Sequence, residues 1–223
     1  MGYRPVSPRT FQILSGLSGV VGVILLGVSF AINQPPPVNA TTADLMAYGR
    51  ANFAHILWGA WLQAVGPVLI VAFAFALVHL ADAANRLAGW MTFFGAAVLM
   101  TVSLIEITFY ISALQPTPEV MSHVGLSLIA SSQHLYFIIA APALFAPLGF
   151  VLVRSSVLPR AFGYLALVLA VLFAGLGIRY MLVLTLPLWV TAVGGVQAVW
   201  WLAAAITLVF RGPLEQTPSL QSQ

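Results

Sequence analysis

Long apolar stretches alternate along the chain with short polar segments, and this alternation predicts its secondary structure. Six stretches each hold about 20 or more mainly apolar residues, the length an α-helix needs to cross the hydrocarbon core of a bilayer. Proline-containing segments such as 35–37 and 116–118 separate them. We expect an all-α membrane bundle of six transmembrane helices, at residues 11–32, 55–80, 87–114, 127–153, 161–180 and 186–210.

The amino-acid composition also indicates a membrane environment. Of the 223 residues, 61% are hydrophobic and only 6% are charged, unlike the balance of a water-soluble domain. The spans and their connections make residues 1–223 a single transmembrane domain, and we expect the polar residues 212–223 to form a flexible tail. Because the chain has no cysteine, disulfides, thiolate metal sites and cysteine nucleophiles are excluded.

The arginines indicate how the bundle is oriented. If six helices alternate in direction, six arginines fall on the side of the two termini and two on the other side. Basic residues are enriched on the cytoplasmic side of membrane proteins, so we expect both termini in the cytoplasm. The net charge of +3 thus reflects topology and does not indicate nucleic-acid binding. The two groups are Arg4, Arg9, Arg86, Arg154, Arg160 and Arg211, against Arg50 and Arg179.

Two helices are expected to begin well before the membrane surface. Thr41 and Asp44 form a capping signal ahead of the second span. Thr117, Pro118 and Glu119 follow the order that helices prefer at their start, ahead of the fourth span. We therefore expect both spans to extend outward by two or three turns.

Polar and ionisable side chains within the spans are the candidate functional residues, since they are costly in lipid and usually face protein or water. Glu106 is the strongest candidate, because Ser103 and Tyr110 share its helix face at spacings of three and four. His134 lies on a similar polar face of the fourth span. The other candidate ligand-binding residues are His55, Gln63, Tyr110, Gln133, Arg179, Tyr180 and Gln197.

If the six-helix topology is applied, nearly all of these residues lie in the half of the bilayer opposite the two termini. The other half consists mostly of Leu, Val, Ala and Phe. This asymmetry predicts a polar pocket that opens toward the extracytoplasmic face and is sealed below. We therefore expect an integral membrane protein with a binding or accessory role. Its ligand would be a small molecule or a lipid.

Two other interpretations assign chemistry to the same residues. Imidazoles are standard ligands of haem iron and divalent metals, so His55 and His134 are candidate ligands of a b-type haem, or of a divalent metal together with Glu106. Alternatively, Glu106 and His134 form the catalytic acid–base pair of a membrane enzyme or transporter, and Arg179 neutralises the carboxylate or an anionic substrate. The chain lacks hydrolase, zinc-protease and P-loop motifs, so whether it is an enzyme stays open.

A structural interpretation is also open. In it, Arg179 or His134 satisfies Glu106, while Gln63 and Gln197 bridge helices in an accessory subunit or receptor-like module. The first span carries a small-residue face for close helix packing, either within the chain or with a second copy in a homo-oligomer. That face consists of Ser15, Gly16, Ser18, Gly19 and Gly22.

Two short motifs accompany this pattern: Arg9, Thr10 and Phe11 at the start of the first span, and residues 158–163 (LPRAFG) at the start of the fifth. With six short-looped helices, the chain resembles the uncharacterised six-helix integral membrane proteins that are abundant in bacterial genomes. The resemblance implies the six-helix fold and a bacterial inner (plasma) membrane. It transfers no functional residue.

Overall fold

A computed structural model describes five parts of the chain, all helical apart from short connections: residues 7–33, 41–113, 127–129, 131–183 and 189–212. Six helices are long and apolar enough to cross a membrane, so the predicted six-span, all-α architecture is confirmed. A seventh helix is short. The elements are α1 (Pro8–Ile32), α2 (Thr42–Ala51), α3 (Phe53–Leu80), α4 (Leu87–Ala113), α5 (Ser127–Val153), α6 (Arg160–Val183) and α7 (Trp189–Phe210).

The predicted and observed helix bounds differ by only a few residues. The span predicted at 55–80 is Phe53–Leu80, and the span predicted at 186–210 is Trp189–Phe210. Residues 184–188 and the predicted tail at 213–223 lie outside the described residues. The chain is a multi-pass membrane protein, and the cytoplasmic position of its termini stays a prediction.

The six spanning helices pack in a ring that follows chain order. Helix α1 packs on α3, α3 on α4, α4 on α5 and α5 on α6, while α7 returns to α1 and has its smallest interface with α6. Since the number of spans is even, the start of α1, the end of α7 and the connections 81–86 and 154–159 lie at one end. We call this the arginine end, because five described arginines lie there: Arg9, Arg86, Arg154, Arg160 and Arg211.

The small-residue face of α1 packs inside the chain. A Cβ atom added to Gly16 would lie 2.9 Å from the carbonyl oxygen of Ala205 on α7. A Cβ atom added to Gly22 would lie 2.9 Å from the carbonyl oxygen of Gly66 on α3. Glycine at these positions therefore allows both neighbouring backbones to approach α1 closely. This face is buried within the monomer and is not available for the homo-oligomer contact that the sequence left open.

The last turn of α7 is tied to α1 and to the connection 154–159. The last carbonyl groups of a helix have no partner within it, so they need donors from elsewhere. The buried amide of Gln12 donates to the carbonyl oxygens of Leu208 at 2.9 Å and Arg211 at 3.2 Å. Arg9 also donates to the Arg211 carbonyl, and Arg211 itself donates to the carbonyl of Val157 at 2.8 Å. These bonds close the ring at the arginine end.

We expect the substitution Gln12→Leu to lower the free energy of unfolding by about 1–3 kcal/mol, because it removes the side-chain donor of the Leu208 carbonyl and one of the two donors of the Arg211 carbonyl. Thermal unfolding of the purified protein in detergent measures the change. Thr101→Ala is the control, since the exposed Thr101 hydroxyl donates only to the Ala97 carbonyl of its own helix. Equal stabilities for the two variants would contradict this role of Gln12.

Aromatic side chains fill the middle of the ring and the half toward the arginine end. The ring of Trp201 on α7 lies 6.0 Å from that of Phe73 on α3 and 5.3 Å from that of Phe145 on α5, measured between centroids. Phe145 also stacks on Phe173 of α6 at 6.2 Å. All four residues are buried. The aromatic side chains therefore close the middle of the ring. Polar side chains are buried toward both ends, Gln12 and Thr92 at the arginine end and Ser29 and Gln63 at the opposite end, where α2 lies.

The predicted start of a helix at Thr41 is confirmed. The Thr41 side chain accepts a hydrogen bond from the Asp44 N–H. The Asp44 carboxylate accepts hydrogen bonds from the Thr41 hydroxyl and from the Thr41 N–H, which together hold the pKa of Asp44 below its ordinary value. The predicted continuous extension of the second span is corrected. Asn52 separates α2 from α3, and its side-chain amide bonds the carbonyl of Tyr48 at 3.0 Å beside its own backbone N–H at 2.9 Å, a local hydrogen bond that favours the end of a helix. The start predicted at 117–119 lies outside the described residues.

Candidate functional site

Helix α5 contains a widened π-helical turn at Tyr136–Ala140, directly after two of the predicted site residues. Pro142 has no N–H, so the Ile138 carbonyl cannot receive the usual helical bond, while the Ala141 N–H bonds the Tyr136 carbonyl instead. Gly177 of α6 lets the two helices touch here, since a Cβ at Gly177 would lie 2.7 Å from the Ile138 Cα. Such turns are frequent at functional sites.

Glu106 of α4 is held by amide side chains from both neighbouring helices. The Gln133 amide of α5 donates to the Glu106 carboxylate at 3.2 Å, and the Gln63 side chain of α3 also hydrogen-bonds this carboxylate. Ser103 donates to the Gln63 backbone carbonyl at 3.4 Å and reinforces the same contact. We call Gln63, Glu106 and Gln133 the carboxylate–amide cluster. It joins three helices within the membrane-spanning part of the protein.

One acceptor of this cluster has no donor. Gln63 is only 3% exposed, and its side-chain oxygen Oε1 makes no hydrogen bond with any described residue. A buried amide oxygen without a donor carries a desolvation cost of about 1–3 kcal/mol. The cluster therefore presents one carboxylate and one free acceptor, both of which attract a donor or a positive charge.

Tyrosine side chains surround the carboxylate–amide cluster. Tyr110 of α4 and Tyr136 of α5 both lie within electrostatic range of Glu106. The Tyr136 hydroxyl donates to Gln197 Oε1 at 2.5 Å, which links the site to α7. In the sequence, Tyr136 lies beside the polar face of the fourth span, but it was not predicted as a ligand-binding residue. Its spacing of three from Gln133 was the signal that could have identified it.

His134 lies one residue after Gln133 and faces α6. Its ring stacks on Tyr180, with centroids 3.4 Å apart and planes inclined by 8°. Tyr180 is buried, whereas Arg179 beside it is exposed. The structure thus brings together His134 with Tyr180, and Gln63 with Glu106 and Gln133.

The ion pair that the structural interpretation expected between Glu106 and Arg179 is not formed. Arg179 is exposed on α6, while the described partners of Glu106 are amides of α3 and α5. The physical reason is the ring order, because α4 packs between α3 and α5 and has no main interface with α6. Gln63 acts as the predicted helix bridge, although its partner is the carboxylate itself.

His55 and His134 have different surroundings. His55 is exposed near the start of α3, where it lines a cavity of about 330 Å³ with Tyr48, Asn52 and two residues from the end of α1. His134 instead stacks on Tyr180. Across the described ranges, no three His, Asp or Glu side chains are grouped so that they could hold a metal ion. These placements give no support to the haem and metal interpretations.

The cavity beside His55 does not include the carboxylate–amide cluster. Tyr48 of α2 lines this cavity and lies within electrostatic range of Tyr110, which in turn lies within range of Glu106. The cluster residues are packed against one another and are not among the residues that line the cavity. A pocket that contains the predicted site residues therefore stays a prediction.

Searches of family models, of curated proteins and of solved structures find no match to this chain. The likeness to uncharacterised six-helix bacterial proteins, and any role of the candidate residues, therefore rest on the sequence and on the geometry of the bundle.

Proposed function

We propose that this membrane protein is a binding protein whose small ligand carries a positive charge or N–H donors and binds at the carboxylate–amide cluster. The observation that carries the proposal is the set of partners of Glu106. A carboxylate within a transmembrane bundle is normally balanced by a basic residue, a proton or a ligand, because its charge is costly in a low-dielectric interior. Here its described partners are neutral amides.

The chemistry of the neighbouring groups favours the same ligand class. The free oxygen of Gln63 accepts a hydrogen bond, as does the carboxylate of Glu106. An ammonium or guanidinium group supplies several N–H donors and a compensating charge at once. Tyr110 and Tyr136 add aromatic rings near the carboxylate, and such rings attract organic cations. A small amine satisfies all of these groups together.

The end of the bundle that carries α2 supplies the route of entry. The cavity of about 330 Å³ there has a size typical of small-ligand sites, and Tyr48, which lines it, lies within electrostatic range of Tyr110. The aromatic packing around Trp201 closes the other half of the ring. If the arginine end is cytoplasmic, as the positive-inside bias predicts, the ligand arrives from the extracytoplasmic side of a plasma membrane. Catalysis or transport by Glu106 and His134 stays a prediction.

The proposal is tested by thermal unfolding of the purified protein with small cations. Ethylammonium and tetramethylammonium chloride are titrated at constant ionic strength, with sodium acetate as the anionic control and glucose as the neutral control. Because a ligand that binds the folded state stabilises it by mass action, we expect a saturable rise in the midpoint temperature with a cation only.

Glu106→Gln is the matched variant, because it keeps the size of the side chain and one acceptor oxygen and removes the negative charge. We expect it to fold and to lose the response to both cations. Arg179→Gln is the control for a general change in charge, since Arg179 is exposed on another helix, and it should keep the response. Equal responses to cations and acetate, or a full response in Glu106→Gln, would defeat the proposal.

A further inference from the structure

A second cavity lies at the arginine end of the bundle. It has a volume of about 280 Å³ and is formed by the connection after α3, the first turn of α4 and the last turn of α5. Two of its lining residues are Arg86 and Arg154, and its other walls are apolar. None of the carboxylate–amide cluster residues lines it, so a ligand here binds independently of a small amine at that cluster.

The two guanidinium groups of this cavity are available to a ligand. Arg86 and Arg154 are both exposed, and their side chains make no hydrogen bond or ion pair with any residue that the structure describes. By contrast, Arg9 and Arg211 at the same end are occupied by backbone carbonyls. Asp82 is the nearby acidic residue of the connection, but it does not line the cavity. The cavity therefore combines two unpaired positive charges in one place.

The apolar walls of the cavity continue onto the lipid-facing surface. Leu87, the first residue of α4, is 78% exposed, and Phe150, in the last turn of α5, is 52% exposed. Both line the cavity beside the arginines. Since these residues mark the ends of two membrane spans, the cavity lies at the level where lipid headgroups meet acyl chains. A ligand that fits has an anionic head and an apolar body.

We propose that Arg86 and Arg154 bind the phosphate of an anionic phospholipid from the leaflet at the arginine end, with its acyl chains against Leu87 and Phe150. Guanidinium groups form paired, charge-assisted hydrogen bonds with phosphate oxygens. Basic pockets between transmembrane helices recognise anionic headgroups in this manner. A phosphate without acyl chains would use the arginines but not the apolar walls.

Native mass spectrometry of the full chain in detergent tests this site. Phosphatidylglycerol, phosphatidylcholine with the same acyl chains, and inorganic phosphate are titrated separately. We expect phosphatidylglycerol to form a one-to-one adduct at concentrations about tenfold lower than phosphatidylcholine, and phosphate to form none. Each arginine near an anionic headgroup contributes about fivefold in affinity, so Arg86→Gln/Arg154→Gln should weaken the adduct at least about tenfold.

Arg160→Gln is the matched control, because Arg160 is exposed at the same end and does not line the cavity. It should retain the wild-type affinity for phosphatidylglycerol. The removed side chains are exposed, so unfolding temperatures without lipid should match among the variants and verify folding. Equal binding of the two lipids, unchanged binding in the double variant, or a phosphate adduct as strong as the lipid adduct would each overturn the proposal.

Discussion

Replacing Gly95 by alanine is expected to destabilise the bundle by at least about 3 kcal/mol, the upper end of the usual cost of overpacking. Gly95 lies in α4 where this helix contacts the backbone of α5. A Cβ atom there would lie 2.1 Å from the carbonyl oxygen of Ala143 and 2.6 Å from the backbone nitrogen of Leu144. Because both are backbone atoms, no side-chain rotation relieves the clash, and the two helices must move apart.

Gly175→Ala is the matched control for this prediction. Gly175 also lies within a spanning helix, α6, but a Cβ atom added there has nothing within 4 Å. Alanine has a higher helix propensity than glycine by about 1 kcal/mol, so this variant should be as stable as the wild type or more stable. Unfolding in mixed micelles with increasing sodium dodecyl sulfate measures both variants. Equal stabilities would show that α4 and α5 do not approach as described.

The contact at Gly95 also positions the candidate site. Glu106 lies eleven residues further along α4, and its partner Gln133 lies on α5, so the approach of these two helices sets the distance between carboxylate and amide. A Gly95 variant that remains folded in lipid should consequently lose the response to small cations. The fold and the site are linked through this one interface.

The spans could be predicted from the sequence because lipid imposes a strict requirement on each of them. A segment that crosses the hydrocarbon core must satisfy its own backbone hydrogen bonds and stay apolar over about 20 residues. This requirement concerns only residues that are close in the sequence. The fourth span was therefore predicted at 127–153, the range that α5 occupies. The start of α2 was equally local, because Thr41 and Asp44 form their capping contacts within four residues.

The partners of Glu106 could not be predicted in the same way. Side chains facing lipid and side chains facing other helices are both apolar, so the pattern within a span does not show which helices adjoin. Charge alone favoured Arg179 or His134 as the partner. The structure pairs Glu106 with Gln63 and Gln133, because α3 and α5 are its neighbours in the ring.

The break at Asn52 and the π-helical form of the turn at Tyr136–Ala140 were also not predicted. Each depends on competition between hydrogen bonds that differ little in strength. The Asn52 side chain bonds the carbonyl of Tyr48, and Pro142 removes one helical donor from α5. Similar residues occur in uninterrupted helices, so sequence alone does not decide the outcome.

Gln133→Leu is expected to lower the free energy of unfolding by about 1.5–3 kcal/mol, the range for hydrogen bonds to charged groups. A neutral interhelical hydrogen bond in a membrane contributes on average only about 0.6 kcal/mol. A loss in the larger range indicates that Glu106 is charged and can bind a cation. A loss near the smaller value indicates a neutral contact between helices. The measurement is unfolding in mixed micelles without added amine.

The double variant Glu106→Leu/Gln133→Leu separates the two cases further. Removing both partners of a hydrogen bond costs less than leaving one of them unpaired, so the double variant should recover about half or more of the loss caused by Gln133→Leu. The recovery is expected to be partial, because Glu106→Leu also removes the carboxylate partner of the Gln63 side chain. A loss near ~0.6 kcal/mol with no recovery would make the cluster a neutral helix contact. A neutral contact of this kind would not bind a cation at the carboxylate–amide cluster.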